Sequence, residues 1–187
     1  MLLSLIVACL VVMGSPGPST ISVTAVGAAF GLRRSLGYLS GLIAGTVAVL
    51  LAVATGVVAL LLAVPRLTPV LLAASAAYIL YLAYRIATAS PLSKPDAAAA
   101  APSFAGGVLL AIANPKAYVA IAAVFAGSAL EPALKTAVLA VMIVLIHLVW
   151  LLAGAAFSRI FHDPLWSRRV NIAFAAALVA TTAYAVL

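Results

Sequence analysis

Gly14-Ser15-Pro16-Gly17-Pro18-Ser19-Thr20 lies in the middle of a stretch, residues 1–32, that carries no charged side chain. As one straight helix that stretch would be about 48 Å long at about 1.5 Å per residue. A bilayer's hydrocarbon core is only about 30 Å thick. Two prolines flanking a glycine remove two backbone donors and disfavour helical dihedrals in the residues before them. The stretch is therefore expected to be two half-helices, with carbonyls freed before Pro16 and amides freed after Pro18. Unpaired backbone is costly in hydrocarbon and is tolerated where it lines protein or a water-filled cavity. Ser15, Pro16, Gly17, Pro18, Ser19 and Thr20 are accordingly candidate site residues.

The rest of the chain supplies the membrane that this reading needs. Of 187 residues, 67% are hydrophobic and 7% charged, against about 25% charged in a soluble domain. Too few solvated groups remain to cover a soluble surface, which excludes a soluble globular enzyme and a disordered chain. The ten Lys and Arg outnumber three acids, for a net charge of +7. These cations are scattered between apolar runs and form no stripe for nucleic acid; they read as loop anchors in a lipid bilayer. The single Cys9 lies in an apolar run and reads as a packing residue. The N-terminus lacks the basic flank of a secretory signal and is expected to be a retained first span.

Further uncharged runs cover 35–65, 67–84, 97–115, 136–158 and 170–187. They are continuous rather than alternating, which argues for helices and against a barrel. With the turn residues they give six transmembrane helices: residues 2–30, 36–64, 68–89, 103–128, 134–160 and 167–187. The chain is expected to be all-α, a single polytopic domain with halves at about 1–90 and 103–187 and a linker at 91–102. Arg33, Arg34, Arg85, Lys94, Arg159, Arg168 and Arg169 fall in or beside the first, third and fifth connections; Arg66 and Lys135 fall in or beside the second and fourth. Seven against two places the odd connections in the cytoplasm and both termini outside.

A second break stands at Asn114-Pro115-Lys116, near the middle of the fourth span. Pro115 opens the helix, Asn114 can cap the next one, and Lys116 is a cation inside a span, the usual mark of a site or pathway. Snorkelling or carbonyl pairing for structure alone is the other reading. Pro16 and Pro115 are ninety-nine positions apart, and Gly56 and Gly154 hold corresponding places in the second and fifth spans. Three spans per half would make the halves inverted. Paired interrupted helices of this kind point to a transporter site, with half-helix N-termini facing an anionic group.

Other features carry two readings each. Gly37, Gly41 and Gly45 form a small-residue seam, as Gly27 and Gly31 do more briefly, suited to packing within one chain or to a homodimer. Tyr78, Tyr81 and Tyr84 suit an interfacial belt or a cavity wall. His147, in the fifth span, suits a proton relay or a neutral ring held by backbone.

With these residues in place, the chain resembles the LysE/RhtB amino-acid exporter family over nearly its whole length. The resemblance rests on Pro16-Gly17-Pro18, the turn Gly31-Leu32-Arg33-Arg34, Gly41 and Gly45, and the run Ala77-Tyr78-Ile79-Leu80-Tyr81-Leu82. Phe104, Gly107, Asn114-Pro115-Lys116-Ala117 and Arg169-Val170-Asn171 complete it. Two departures stand out: Ser19 follows the first break where the family often has Asp or Asn, and Val124-Phe125-Ala126-Gly127 replaces a Pro-Gln-Phe element. The resemblance implies export of a small amino acid or related zwitterion across the inner membrane by alternating access, driven by proton antiport, with no cofactor. Asn114, Pro115 and Lys116 join the first break as expected binding residues: the amides after Pro18, with Ser19, Thr20, Asn114 and Lys116, would hold the carboxylate. Carbonyls before Pro16 and Pro115 would hold the ammonium. The rivals are a permease for an inorganic ion or other solute, an intramembrane enzyme, and a non-transporting assembly subunit. No predicted span contains a carboxylate, which argues against a metal permease and an acid–base enzyme.

Overall fold

The computed structural model describes residues 1–56, 67–88, 101–160 and 164–186. The expected linker, the expected second connection and the end of the second span lie outside the described residues or at their edge. Among the described residues the protein is all-helical. Helix α1 (Leu2–Ala8) continues into a π-helical turn, Cys9–Met13, closed by Gly14 N donating to Cys9 O at 3.1 Å. After the break come α2 (Pro18–Ala54), α3 (Leu67–Ala87), α4 (Phe104–Ala113), α5 (Pro115–Ala126), α6 (Pro132–Ile160) and α7 (Pro164–Val186).

Helix α2 is two limbs joined at one residue, Gly31, whose φ of 75° and ψ of 167° leave the helical region. Tyr38 Oη donates to Ser22 Oγ at 3.0 Å across this point, and Ser35 Oγ donates to Val26 O at 3.1 Å. Sixteen residues of straight helix would span about 24 Å, so the chain has folded back into an antiparallel hairpin. The expected turn over residues 31–35 shrinks to Gly31, because only glycine takes this dihedral pair without strain. Helix resumes at Leu32, and Arg33 and Arg34 are exposed on its first turn.

Among the described residues two helices are each long and apolar enough to cross a bilayer, Pro18–Ala54 and Pro132–Ala156; α4 and α5, bent by 63° at Asn114, make a third candidate as one broken span. Val119, Val141 and Val149 are exposed on the outer surface, as suits side chains facing hydrocarbon. Lipid is as apolar as leucine, so close packing rather than water exclusion must hold such helices together. Glycines provide it. A Cβ on Gly41 would strike the backbone of Phe104, and one on Gly45 would lie 2.9 Å from Val108 O. On the other side Gly27 meets Leu151 O and Gly154 meets the backbone of Thr24. The seam therefore packs within the chain, save for Gly37, which has nothing nearby. Gly56 differs from Gly154: it ends α2 with φ of 76° in open space. Gly41→Val is expected to destabilise the protein by about 1–3 kcal/mol, since backbone cannot rotate away from the added atoms. Gly37→Ala should be neutral or stabilising by up to about 1 kcal/mol. Thermal unfolding in detergent measures both, and equal midpoints for the two variants would refute the packing argument.

Two apolar clusters result. One contains Val23, Val26, Leu42, Ile79, Leu82 and Leu178; the other contains Leu5, Cys9, Leu50, Ile121, Leu139 and Ile143. Tyr81 and Tyr84 face outward, and Arg85 donates to Tyr81 Oη at 2.7 Å. Lys135 is buried rather than a free loop cation. Its Nζ donates to Phe125 O and Ser128 O and lies 4.2 Å from the centre of the Phe125 ring, closing the end of α5. Beside it Glu131 starts α6: the amides of Ala133 and Leu134 hold its carboxyl below the usual carboxylate range.

Candidate functional site

On four segments the polar residues fall between a member of one apolar cluster and a member of the other. Ser15 to Thr20 separate Cys9 from Val23, Thr46 separates Leu42 from Leu50, Asn114 and Lys116 separate Leu110 from Ile121, and His147 separates Ile143 from Leu151. Ser15, Gly17, Ser19, Thr20, Thr46, Asn114, Lys116 and His147 line one cavity of about 40 Å³; Pro16 and Pro18 are not part of its lining, and Pro115 lines the neighbouring cleft. One water needs about 10–15 Å³ of such space, so this partly open cavity has room for only a few waters as it stands.

The two breaks meet there. Asn114, only 3% exposed, turns both ends of its amide to use. Its Oδ1 accepts from Lys116 N at 3.1 Å, capping α5, and its Nδ2 donates to Ser19 Oγ at 2.7 Å, ninety-five positions away. Thr20 Oγ1 accepts from Gly17 N at 2.9 Å and caps the limb that starts at Pro18. Lys116 reaches back across the gap: Nζ donates to Ser15 O, Ser15 Oγ and Pro16 O, each at 2.8 Å. Gly17 is where a side chain would collide with it, its ideal Cβ falling 2.8 Å from Nζ.

Freed carbonyls are satisfied by the protein itself, as buried backbone must be. Ser15 Oγ lies 2.8 Å from Val12 O, Trp150 Nε1 donates to Gly14 O at 3.2 Å, and Lys116 takes Ser15 O and Pro16 O. At the second break Asn114 N donates to Ala111 O and Tyr118 Oη donates to Ile112 O. The expectation of vacant carbonyls at both breaks is corrected here: Lys116 already takes the pair at Ser15 and Pro16, with its ammonium on carbonyls. The amides of Ser19 and Thr20, in the first turn after Pro18, have no acceptor within an ideal helix and lie at its positive end.

His147 is 5% exposed and lines the cavity. Nδ1 lies 2.7 Å from Ile143 O, and Nε2 has no hydrogen-bond partner. The ring is tied to backbone, as one of the two sequence readings expected, and its other nitrogen is buried without a partner. Thr46, Trp150 and Tyr118 were missed by sequence reasoning. Thr46 had a signal, a polar residue following Gly45 on the small-residue seam; Trp150 had one in standing three positions after His147. Tyr118 had none beyond its place two residues after Lys116. Tyr78, Tyr81 and Tyr84 line none of the cavities described.

On the far side of Lys116 lies a cleft of about 390 Å³ between the first half-helix and α5, lined by Val12, Pro115, Val119 and Ala123 among others. Val12 and Ala123 also line the next cavity, of about 160 Å³, which reaches Ser4 and Ser128 at the helix ends.

Comparison with known proteins agrees over most of the length. A family model described as LysE type translocator matches residues 10–187. Similar curated proteins are named cysteine/O-acetylserine efflux proteins. One from Escherichia coli is 34% identical over 175 residues, 88% of this chain and 87% of that protein. One from Klebsiella pneumoniae is 33% identical over 172 residues, 88% of this chain and 86% of that protein. No solved structure matches the chain.

Proposed function

Since the chain belongs to the LysE type translocator family, we propose that it exports a small, uncharged-side-chain amino acid of the cysteine or O-acetylserine kind across the inner membrane. The observation that carries this reading is the meeting of both helix breaks, through Asn114 and Ser19, at one polar cavity between two apolar clusters. In that setting the amides of Ser19 and Thr20 receive the cargo carboxylate at a positive helix end. Ser15 O and Pro16 O, held by Lys116 in this structure, receive its ammonium once Lys116 withdraws. Lys116 is the only formally charged residue lining the described cavity, so a basic side chain would enter without a counter-charge, whereas a short neutral one would not be opposed.

We place six spans in two inverted halves, residues 1–90 and 103–187, with both termini outside. Reciprocal packing supports the repeat: the first span lies on the fifth through Gly27 and Gly154, and the second lies on the fourth through Gly41, Gly45 and Gly107. A pseudo-two-fold exchange of halves converts one pair into the other. Rocking of the halves about the breaks exposes the cavity to each side in turn, and proton antiport drives it.

Efflux from preloaded cells tests this. Expression should speed release of O-acetylserine and cysteine severalfold over a vector control, raise growth on toxic analogues, leave lysine unaffected, and weaken when the pH gradient is collapsed. Release of lysine in preference to the neutral amino acids, or of none of them, would sink the proposal.

A further inference from the structure

Three acceptors surround the Lys116 ammonium, and an ammonium has three donors. The α-ammonium of an amino acid is the same group with the same needs. The two cannot occupy one set of acceptors together, because each requires all three and both are positive. Lys116 also stands at a boundary: Ser15, Lys116 and Ala120 line both the cavity where the breaks meet and the cleft that leads towards Ser4 and Ser128. Among the described residues lining that cavity and this cleft there is no carboxylate to receive the ammonium elsewhere, and His147, on α6, is the one other titratable side chain.

Resting on the amino-acid export reading, we propose that Lys116 and the cargo's α-ammonium compete for Ser15 O, Ser15 Oγ and Pro16 O, and that the displaced Lys116 gives up a proton, making it the exchangeable proton carrier of this transporter. The step balances. One N–H bond of the Lys116 ammonium breaks, its proton passes to water, the lysine keeps its electron pair as a neutral amine, and the cargo retains its own three N–H bonds. One proton leaves for each zwitterion bound. When the cargo departs on the outer side, Lys116 takes a proton from the water that enters the site open to that side and returns to the carbonyls. Displacement by the next cytoplasmic cargo then releases that proton inside, so one proton enters as one amino acid leaves. The scarcity of intramembrane charge becomes the coupling device, because the carrier and the cargo share one seat.

Binding of O-acetyl-L-serine to the purified protein, with proton release followed by a pH dye, tests the exchange. Wild-type affinity should rise about tenfold per pH unit between roughly pH 6 and pH 8, with about one proton released per molecule bound. Lys116→Met should bind at least as tightly, without pH dependence or proton release. In vesicles it should keep exchange of internal for external amino acid and lose accumulation driven by a pH gradient. Lys116→Arg carries a charge that is not given up and should lose both. The proposal is overturned if folded Lys116→Met releases protons as wild type does, if it fails to bind, or if Lys116→Arg accumulates cargo down a pH gradient. It is equally overturned if the pH slope disappears in His147→Gln while persisting in Lys116→Met. Should Lys116→Met not fold, the arginine variant decides alone. A wild-type protein that moves no amino acid refutes the export reading itself, and that outcome is separate from normal wild-type transport with Lys116 variants that behave alike.

Discussion

Asn114→Ala is expected to cut amino-acid efflux about thirtyfold. The estimate adds two losses, a helix cap of about 1 kcal/mol and a buried hydrogen bond of about 1 kcal/mol, and about 1.4 kcal/mol corresponds to a factor of ten. Both losses fall on the same geometry. Without Oδ1 the amide of Lys116 loses its cap, and α5 is no longer aimed at the first break. Without Nδ2 the hydroxyl of Ser19 loses the bond that ties the two breaks together. Asn114→Asp separates the parts, since it keeps the cap acceptor and loses the donor; its efflux should fall between the other two. Efflux rates normalised to protein in the membrane, with the thermal midpoint of each variant, provide the check. An alanine variant that transports within about twofold of wild type would show that the Asn114 bridge is not needed.

Local chemistry explains what was legible in the sequence. Both breaks follow from prolines that cannot donate, and the Asn114 cap needs only its neighbour two positions on. The single-residue hairpin at Gly31 was half legible: the glycine and arginines marked a turn, while its length depended on Ser35 reaching Val26 O. What connects distant segments was not legible. Nothing near Lys116 in the sequence indicates that its ammonium closes on Ser15 and Pro16, about a hundred positions earlier. Nor does anything near Gly14 point to Trp150. Lys135 shows the same limit from the other side. A cation beside a loop was counted as an anchor, yet it is buried against the carbonyl end of α5. Charge counting treats each cation as solvated, yet among the described residues Lys116 and Lys135 are instead spent on freed carbonyls, one at the first break and one at a helix end.

The second large effect concerns His147. Because Ile143 O can only accept, the neutral ring carries its proton on Nδ1, which leaves Nε2 a buried acceptor without a partner on a residue that lines the cavity. A buried acceptor without a partner costs about 1–3 kcal/mol, a cost that a donor on the cargo removes. Substitution by leucine removes the acceptor from both the empty and the loaded protein, so the cargo forfeits that gain. His147→Leu should therefore raise the half-saturating concentration of O-acetylserine by roughly five- to a hundredfold, with maximal flux less affected and the fold retained or firmer. His147→Gln offers an amide oxygen in the same region and should recover part of the affinity. A relay role makes a different forecast: leucine would then abolish the response to pH while leaving affinity at a fixed pH nearly intact. Concentration series at two pH values separate the two roles. Unchanged affinity in the leucine variant would remove His147 from the binding set, and the backbone and hydroxyl groups of the two helix breaks would then have to account for recognition by themselves.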